Sequence, residues 1–394
     1  MNNQQLFDGC LVISPYADLH EVTADLPGTA GVSLFTNQDN LPILLLCGAN
    51  LRRQVRRRLA QDKNAEKTRR PQLRPVVRRI WFRRTYSAFE TQWAYFHITR
   101  ALYPDKYHEF FPGLEVWFLQ VQPQAEWPFF AVTNQLGPGG NLYWGPFAAK
   151  KHAGSFLEII QDIFNLCRCP HLLGATCEAG SCPYAQMNRC AAVREGKVSA
   201  VQYRQVVNQA MDFLNRGSAE TIDELRQKMK RLSADLKFEQ AQQVKKQIEK
   251  GRKLLAPNYR WVMPLERFFV LAFQDGPALK IPYQRRVLPS ISPYLIGPGW
   301  IKQIEPAPVN QTRAIARQIL DHYNLYRLEV LPRECSCRAM ELFAWVTGQL
   351  YRSTCDKGLF LPAREDLDAE VIDRKLQEKF ARPRAGKMRN QDHN

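Results

Sequence analysis

Five cysteines crowd the stretch from 167 to 190: Cys167, Cys169, Cys177, Cys182 and Cys190. Soft thiolates at that density can hold zinc or an iron–sulfur cluster. No pair has the CxxC spacing of a zinc ribbon, and a set of buried thiols without metal is the alternative. Cys335 and Cys337 stand too close together to chelate one ion well. They are read, with Cys10, Cys47 and Cys355, as packed thiols. A second chemistry lies upstream. Between Arg52 and Arg84 stand Arg52, Arg53, Arg56, Arg57, Arg58, Arg69, Arg70, Arg74, Arg78, Arg79, Arg83 and Arg84, opposed only by Asp62 and Glu66. Guanidinium groups pair with phosphate oxygens through two parallel hydrogen bonds. Trp81 and Tyr86 add rings that stack on bases or pack inward. The alternative is a solvated basic face.

These groups need elements to carry them. Asn50 is placed to cap a helix running through Leu59. On it Arg52 and Arg56 share one face, and Arg53 and Arg57 another. Short strands are expected at Leu11 to Ser14, Gly31 to Phe35, Leu41 to Cys47 and Val76 to Phe82, with a polar loop over 61–75 and a helix from Ser87 to Leu102. Three strands follow over 114–147, with Gly137-Pro-Gly-Gly140 turning the chain between the last two. A helix from Ser155 to Asn165 leads into the cysteine-rich stretch. Strand returns over 265–290, with Asp275-Gly276 as a hairpin turn. Helices near 311–324 and 338–352 come next, then a charged, loosely ordered tail beyond 363.

The stretch from Thr221 to Leu255 carries apolar residues at Leu225, Met229 and Leu232, then at Phe238, Ala241, Val244 and Ile248. Three- and four-residue steps make an apolar stripe on a helix. Ser233 and Asp235 favour a turn between two antiparallel helices. Two helices cover one side of each stripe, and the remaining apolar surface suits another helix pair. An ordinary core hairpin is the alternative.

Composition sets outer limits. The chain has 394 residues, enough for two to four domains, and is 45% hydrophobic. Its net charge of +17 suits a polyanion, nucleic acid before a membrane surface. No apolar run approaches the roughly 18 residues of a spanning helix, and the opening MNNQQLFDGC has no signal-peptide pattern. A cytoplasmic protein with free or metal-bound thiols, and no membrane partner, is expected.

Particular letters then point to a family. Leu236-Lys-Phe238-Glu239-Gln-Ala241 followed by Val244-Lys-Lys-Gln-Ile248 resembles the UVR motif of UvrC, a subunit of the bacterial excision-repair nuclease, and of its partner UvrB. Lys246 stands where the family usually has an acid. Trp144-Gly145-Pro146-Phe147, the following helix, Ser181-Cys182-Pro183 and Asn188-Arg189-Cys190 resemble the UvrC middle domain. There Cys169, Cys182 and Cys190 fall on three of four cysteine positions. The fourth position is Arg194, and Cys177 is the substitute ligand. Residues 1–112 resemble the GIY-YIG nuclease domain through Leu26-Pro27, Gly31-Val32, Gly48 and Asn50-Leu51-Arg52-Arg53, with Glu90 at the place of the family's metal-binding glutamate. Two tyrosines, an arginine and a third tyrosine of that family become Ser33, Leu46, Gln54 and Arg58. Leucine neither accepts a proton nor orients water, and glutamine carries no charge to offset an oxyanion.

The resemblance implies a multidomain α+β chain: a degenerate GIY-YIG-like small α/β domain over 1–112, a cysteine-rich middle domain over 113–200, a helical region with the UVR hairpin over 201–256, a small C-terminal α/β domain over 257–362 and a charged tail over 363–394. The C-terminal part has few carboxylates near its expected strand ends (Asp275 lies in a turn, Glu305 beside a proline and Asp321 in a helix), so the family's second nuclease domain is not expected there. Arg285, Arg286 and Trp300 are DNA-contact or plain surface and core residues. The implied function is a DNA-binding protein of nucleotide excision repair and the SOS response, without an incision site. It would contact DNA through Arg52, Arg53, Arg56, Arg57, Arg78, Arg79, Arg83 and Arg84. It would dock UvrB, or another hairpin-bearing protein, through Leu236, Phe238, Ala241, Val244 and Ile248. Cys169, Cys177, Cys182 and Cys190 are the candidate iron–sulfur or zinc ligands. Two alternatives stay open: an active structure-specific endonuclease using Mg2+ at Glu90, and a metal-cluster regulatory adaptor with no DNA role.

Overall fold

The computed structural model describes residues 3–60, 72–137, 139–169, 183–187, 190, 198–280, 287–327, 337–352, 358–364 and 367–381. Its first sheet joins β1 (Gly9–Val12), β2 (Gly31–Thr36), β3 (Pro42–Gly48) and β4 (Arg79–Arg84) in the antiparallel order β1-β4-β2-β3. A short helix α1 (Leu19–Val22) lies between β1 and β2, and α2 (Leu51–Leu59) follows β3. Strands β1 and β4 start elsewhere than the apolar runs suggest, two residues early and three late. Strand β2 is buried along its whole length because both its faces are covered. Phe35 and Ile80 meet Val55 and Leu59 of α2. On the other face Val32, Leu34 and Leu45 meet Ala94 and Ile98 of α3 (Ala88–Leu102). The Asn50 side chain accepts from the Arg53 amide at 2.8 Å, the expected cap. Leu51, Val55 and Leu59 form the buried stripe.

A short helix α4 (Tyr107–Phe110) leads to the second sheet, of β5 (Trp117–Val121), β6 (Phe130–Thr133), β7 (Leu142–Phe147) and the two-residue β8 (Met263–Pro264), in the order β6-β5-β7-β8. Against it pack α5 (Lys150–Phe164) and α7 (Ala200–Arg216), through Phe156, Ile160, Tyr203 and Val207. Helix α5 begins five residues before the expected start, at Lys150, because Ala153 and Phe156 complete its buried stripe. It ends at Asn165, whose φ of 52° is left-handed, a conformation asparagine tolerates. One further turn, α6 (Pro183–Gln186), stands in the cysteine-rich stretch. A Ser199/Gln202 capping box opens α7.

Helices α8 (Ser218–Ala234) and α9 (Phe238–Arg252) form the expected hairpin. Leu236, at φ 59°, turns the chain between them. The base of α9 is fixed to α5. Gln247 Nε2 donates to the Ile163 carbonyl at 3.0 Å, and Lys250 Nζ lies 3.7 Å from Asp162 Oδ2.

The third sheet contains β9 (Val270–Asp275), β12 (Ser290–Gly297), β13 (Trp300–Gln303) and β15 (Leu359–Pro362), ordered β13-β12-β9-β15, with β14 (Ala307–Pro308) also on β12. Strands β10 (Leu279–Lys280) and β11 (Val287–Leu288) form a separate ladder. Asp275-Gly276 is therefore not a two-residue hairpin turn. Strand β9 pairs with β12, and the chain between them leaves the sheet. Helices α10 (Thr312–Tyr326) and α12 (Ala369–Leu376) cover one face, and α11 (Cys337–Tyr351) covers the other. The tail is not loose as far as 381. Ile372 and Leu376 are fully buried against Leu271 and Ile319, and a π-helical turn, Gln377–Ala381, extends the helix.

Helix α3 is shared between two cores. Its second face enters the α11 side of the third sheet. There the Phe89 ring lies 5.3 Å from Tyr294 and 5.7 Å from Phe360, and Phe96 stacks on Trp345 at 5.9 Å. Mixed helix and strand in several separate sheets is thus the observed architecture. Among the described residues no helix is long and apolar enough to cross a membrane.

Candidate functional site

Ser33 and Leu46 stand directly opposite one another on β2 and β3, so their side chains share a face, the α2 side. Ser33 is fully buried and its hydroxyl has no hydrogen-bond partner. Gln54, on α2, donates from Nε2 to the Cys47 carbonyl at 2.9 Å, while its Oε1 is buried and unpartnered. Leu46, Gln54 and Arg58 line one cleft of about 1040 Å3, together with Tyr16, Arg57 and Arg74. Ser33, Leu46, Gln54 and Arg58 thus lie on one side of the sheet, three of them around one opening. Among the described residues that line it there is no carboxylate and no imidazole. None of these described side chains accepts a proton near neutral pH, and the arginines among them suit an anionic strand.

The arginines divide into two sets. Arg52 Nε donates to the Leu26 carbonyl at 2.8 Å, and Arg56 donates to Thr23 Oγ1 at 2.6 Å and to the His20 carbonyl at 3.1 Å. That face of α2 ties the helix to the α1 turn. Arg78 bonds the Pro75 and Val77 carbonyls, Arg79 the Gln38 carbonyl, and Arg84 pairs with Asp8 at 3.5 Å. Arg53 and Arg57 are exposed on the other face of α2, and their guanidinium groups make no hydrogen bond or ion pair among the described residues. Arg83 and Arg58 likewise make none. Trp81 packs inward and donates to Asn40 Oδ1 at 2.8 Å, whereas Tyr86 is exposed. Trp300 lies against Phe269 and Tyr326 in the third core, and Arg285 and Arg286 lie outside the described residues.

Glu90 is in the first turn of α3. Its Oε2 accepts from the Tyr86 amide at 2.8 Å, while its own amide donates to Ser87 Oγ at 3.1 Å, a reciprocal cap. Burial raises the carboxyl above its ordinary range, and the Tyr86 amide and the Arg83 guanidinium pull it down. A raised folded value means stability held at low pH and lost as pH rises through that value. Glu90→Gln keeps the acceptor and removes the buried charge. Its melting temperature at neutral pH is expected to equal or exceed that of the parent. Glu90→Ala should cost about 0.5–2 kcal/mol. A Glu90→Gln protein that melts lower, and loses a divalent-cation stabilisation the parent has, would make Glu90 a ligand instead of a cap.

His97, two turns further along α3, lies edge-on to Trp93 at 5.3 Å. Burial, then the Arg100 and Arg83 charges, hold its imidazole down at about 4. With a depressed folded value the contribution is complete above the unfolded value of about 6.5 and is lost as pH falls toward 4. Chemical denaturation should register a loss of about 1–2 kcal/mol across that window after allowing for solvent screening. The same window measured on His97→Gln should be flatter. An identical slope would remove His97 from the account.

The structure brings the Cys167 and Cys190 thiols into hydrogen-bond contact, with Cys169 alongside. That contact with Cys190, followed by burial, pushes the Cys167 thiol up. Tyr203 Oη accepts from the Cys167 amide at 3.2 Å. Cys177 and Cys182 lie outside the described residues, and among those described no group of three or more His, Cys, Asp or Glu is arranged to hold a metal. Cys167, which the four-cysteine set leaves out, is the thiol in hydrogen-bond contact with Cys190 among the described residues, and the crowding of cysteines in the sequence was the available signal.

The docking stripe requires correction. Ala241, Val244 and Ile248 are only 7%, 5% and 5% exposed, because α8 covers them with Ile222, Leu225, Met229 and Leu232. They form the hairpin's own core and present no surface. Leu236 and Phe238, at 73% and 64%, are exposed at its tip. Between residues 228 and 246 the hairpin also exposes Lys228, Lys230, Arg231, Lys237, Lys245 and Lys246, against Asp235 and Glu239.

Together these elements define a basic α and β protein with a proton-poor cleft, a thiol-bearing middle and a projecting helical hairpin. Residues 116–213, from β5 into α7, match the family described as UvrC/Cho excinuclease, middle domain. Homology to UvrC is also found beyond that segment. The chain is 30% identical over 132 residues to UvrABC system protein C of Syntrophotalea carbinolica, covering 33% of this chain and 21% of that one. The proteins of the same name from Methanothermobacter thermautotrophicus and Caldicellulosiruptor saccharolyticus are 23% and 25% identical, each over 58% of this chain and 38% of the relative. The chain thus spans between about a fifth and two fifths of the length of these relatives. No solved structure matches it.

Proposed function

We propose that this chain is a UvrC-like, DNA-binding protein of nucleotide excision repair that docks UvrB and does not cut DNA through its first domain. The units are a degenerate GIY-YIG-like domain over 1–112, a cysteine-bearing middle domain, the UVR hairpin and a C-terminal α/β domain. The observation that carries the proposal is the cleft around Leu46, Gln54 and Arg58. Among the described residues it keeps Arg57 and Arg58 unpaired and offers no side chain that would deprotonate water. DNA enters along the exposed Arg53/Arg57 face, which continues onto Arg58 at the cleft. Glu90 favours this reading over a surviving metal site, since its carboxylate already caps α3.

UvrB is the proposed occupant of the hairpin tip, because Leu236 and Phe238 offer an apolar contact on a basic hairpin that an acidic helical hairpin complements. Cys169, Cys177, Cys182 and Cys190 are proposed to hold zinc or an iron–sulfur cluster, a soft group matched to thiolate donors. Its contribution would be to brace the middle domain, against whose core Cys169 and Cys190 already rest. The test is duplex binding as a function of salt. If about five phosphates are neutralised, log K should fall with a slope near −4 to −5 against log salt. A flat response would overturn the DNA-binding reading.

A further inference from the structure

A second basic cleft shares no lining residue with the one beside the arginine-rich helix. Its volume is about 590 Å3, and its walls come from the end of α7, residues 260–269, the end of α10 and residues 363–364. Five arginines line it, Arg216, Arg260, Arg267, Arg327 and Arg364, against Asp212 and Glu266. Two are already engaged. Arg216 pairs with Glu224 at 3.2 Å, and the Arg260 guanidinium lies 5.1 Å from the Trp261 ring centroid. Arg267, Arg327 and Arg364 are exposed and have no ion pair or side-chain hydrogen bond among the described residues.

Arg327 closes α10, where a cation is favoured by the helix end alone. Arg267 and Arg364 follow no α-helix, so that explanation does not reach them. Like charges gathered on one opening repel unless an anion offsets them.

We propose that this cleft is a second nucleic-acid contact, binding the phosphate backbone of a strand that also engages Arg53 and Arg57. The inference rests on the DNA-binding reading given above. The three guanidiniums left unpaired among the described residues come from three separate segments and none is buried, which suits successive phosphates better than one compact anion. The rings at the cleft, Phe269 and Tyr323, are buried and packed edge-on at 5.5 Å, so no platform for base stacking is offered. Contact there is therefore independent of base sequence. An acidic peptide would need an exposed apolar anchor, and among the described residues none of the large exposed hydrophobic side chains lines the cleft.

The experiment compares salt titrations of labelled duplexes of unrelated sequence with the full chain, R267A/R327A/R364A, R267K/R327K/R364K and R53A/R57A. The alanine triple variant is expected to lower the steepness of log K against log salt by about 2–3, equally for every sequence, while the lysine variant keeps the parent's slope. An alanine variant with the parent's slope overturns the cleft, and if R53A/R57A still loses slope the DNA-binding reading survives. No salt dependence in the parent overturns that reading and the cleft with it. Thermal protection by inorganic pyrophosphate that vanishes in the alanine variant, with the DNA slope unchanged, would make the cleft a small-anion site and also overturn the proposal.

Discussion

Replacing Arg53 and Arg57 together by alanine is expected to weaken duplex binding about 10- to 100-fold at about 0.1 M salt, and to reduce the salt slope by about 2. Both side chains are exposed on α2 and neither is used inside the fold, so the melting temperature should stay within about a degree or two of the parent's. The partner experiment is Arg52→Ala with Arg56→Ala. Those guanidiniums donate to Leu26, Thr23 and His20, and α2 would lose its tie to the α1 turn. A stability loss of about 1.5–3 kcal/mol is expected, with a smaller change in slope. Filter binding and thermal melts on the two double variants separate the roles. If both pairs change affinity alike with no change in stability, the division of the helix into a binding face and a structural face is wrong.

The hairpin should give an equally sharp contrast. Phe238→Asp places a charge at an exposed tip, so the fold is expected to tolerate it while capture of UvrB falls by about 30-fold or more. Val244→Asp puts a carboxylate into the layer made with Ile222 and Ile248, where no cation pairs with it. About 3–5 kcal/mol of local stability should be lost. Hydrogen exchange would register this as opening of α8 and α9, with the third sheet unaffected. UvrB capture that survives Phe238→Asp would move the docking surface off the tip.

The sequence was most readable where local signals agree. Leu51, Val55 and Leu59 repeat at four residues behind Asn50, and α2 forms with that cap and that stripe. The hairpin was legible for the same reason, but the use of its apolar residues was not. Spacing places Ala241, Val244 and Ile248 on one face without saying that α8 consumes it. Strand β12 was hidden by Pro293, which lacks the N–H a central strand needs. The structure accommodates it because β13 pairs with residues 294–297 and β14 with residues 290–291, leaving position 293 between the two ladders. Helix α12 reads as a charged tail, since Ile372 and Leu376 are the two of its side chains that are fully buried in the core. The second basic cleft had no sequence signal. Arg267, Arg327 and Arg364 stand far apart in the chain and meet only through the third sheet and its helices.

The measurement that bears most directly on the central claim is strand scission. Purified full-length chain would be incubated with damaged, nicked and bubble duplexes and with Mg2+ or Mn2+, with and without UvrB. A cleft lined by Leu46, Gln54 and Arg58 predicts intact strands in every lane, alongside salt-sensitive binding to the same substrates. Metal-dependent cleavage that disappears in Glu90→Ala but persists in a charge-reversed hairpin would contradict it.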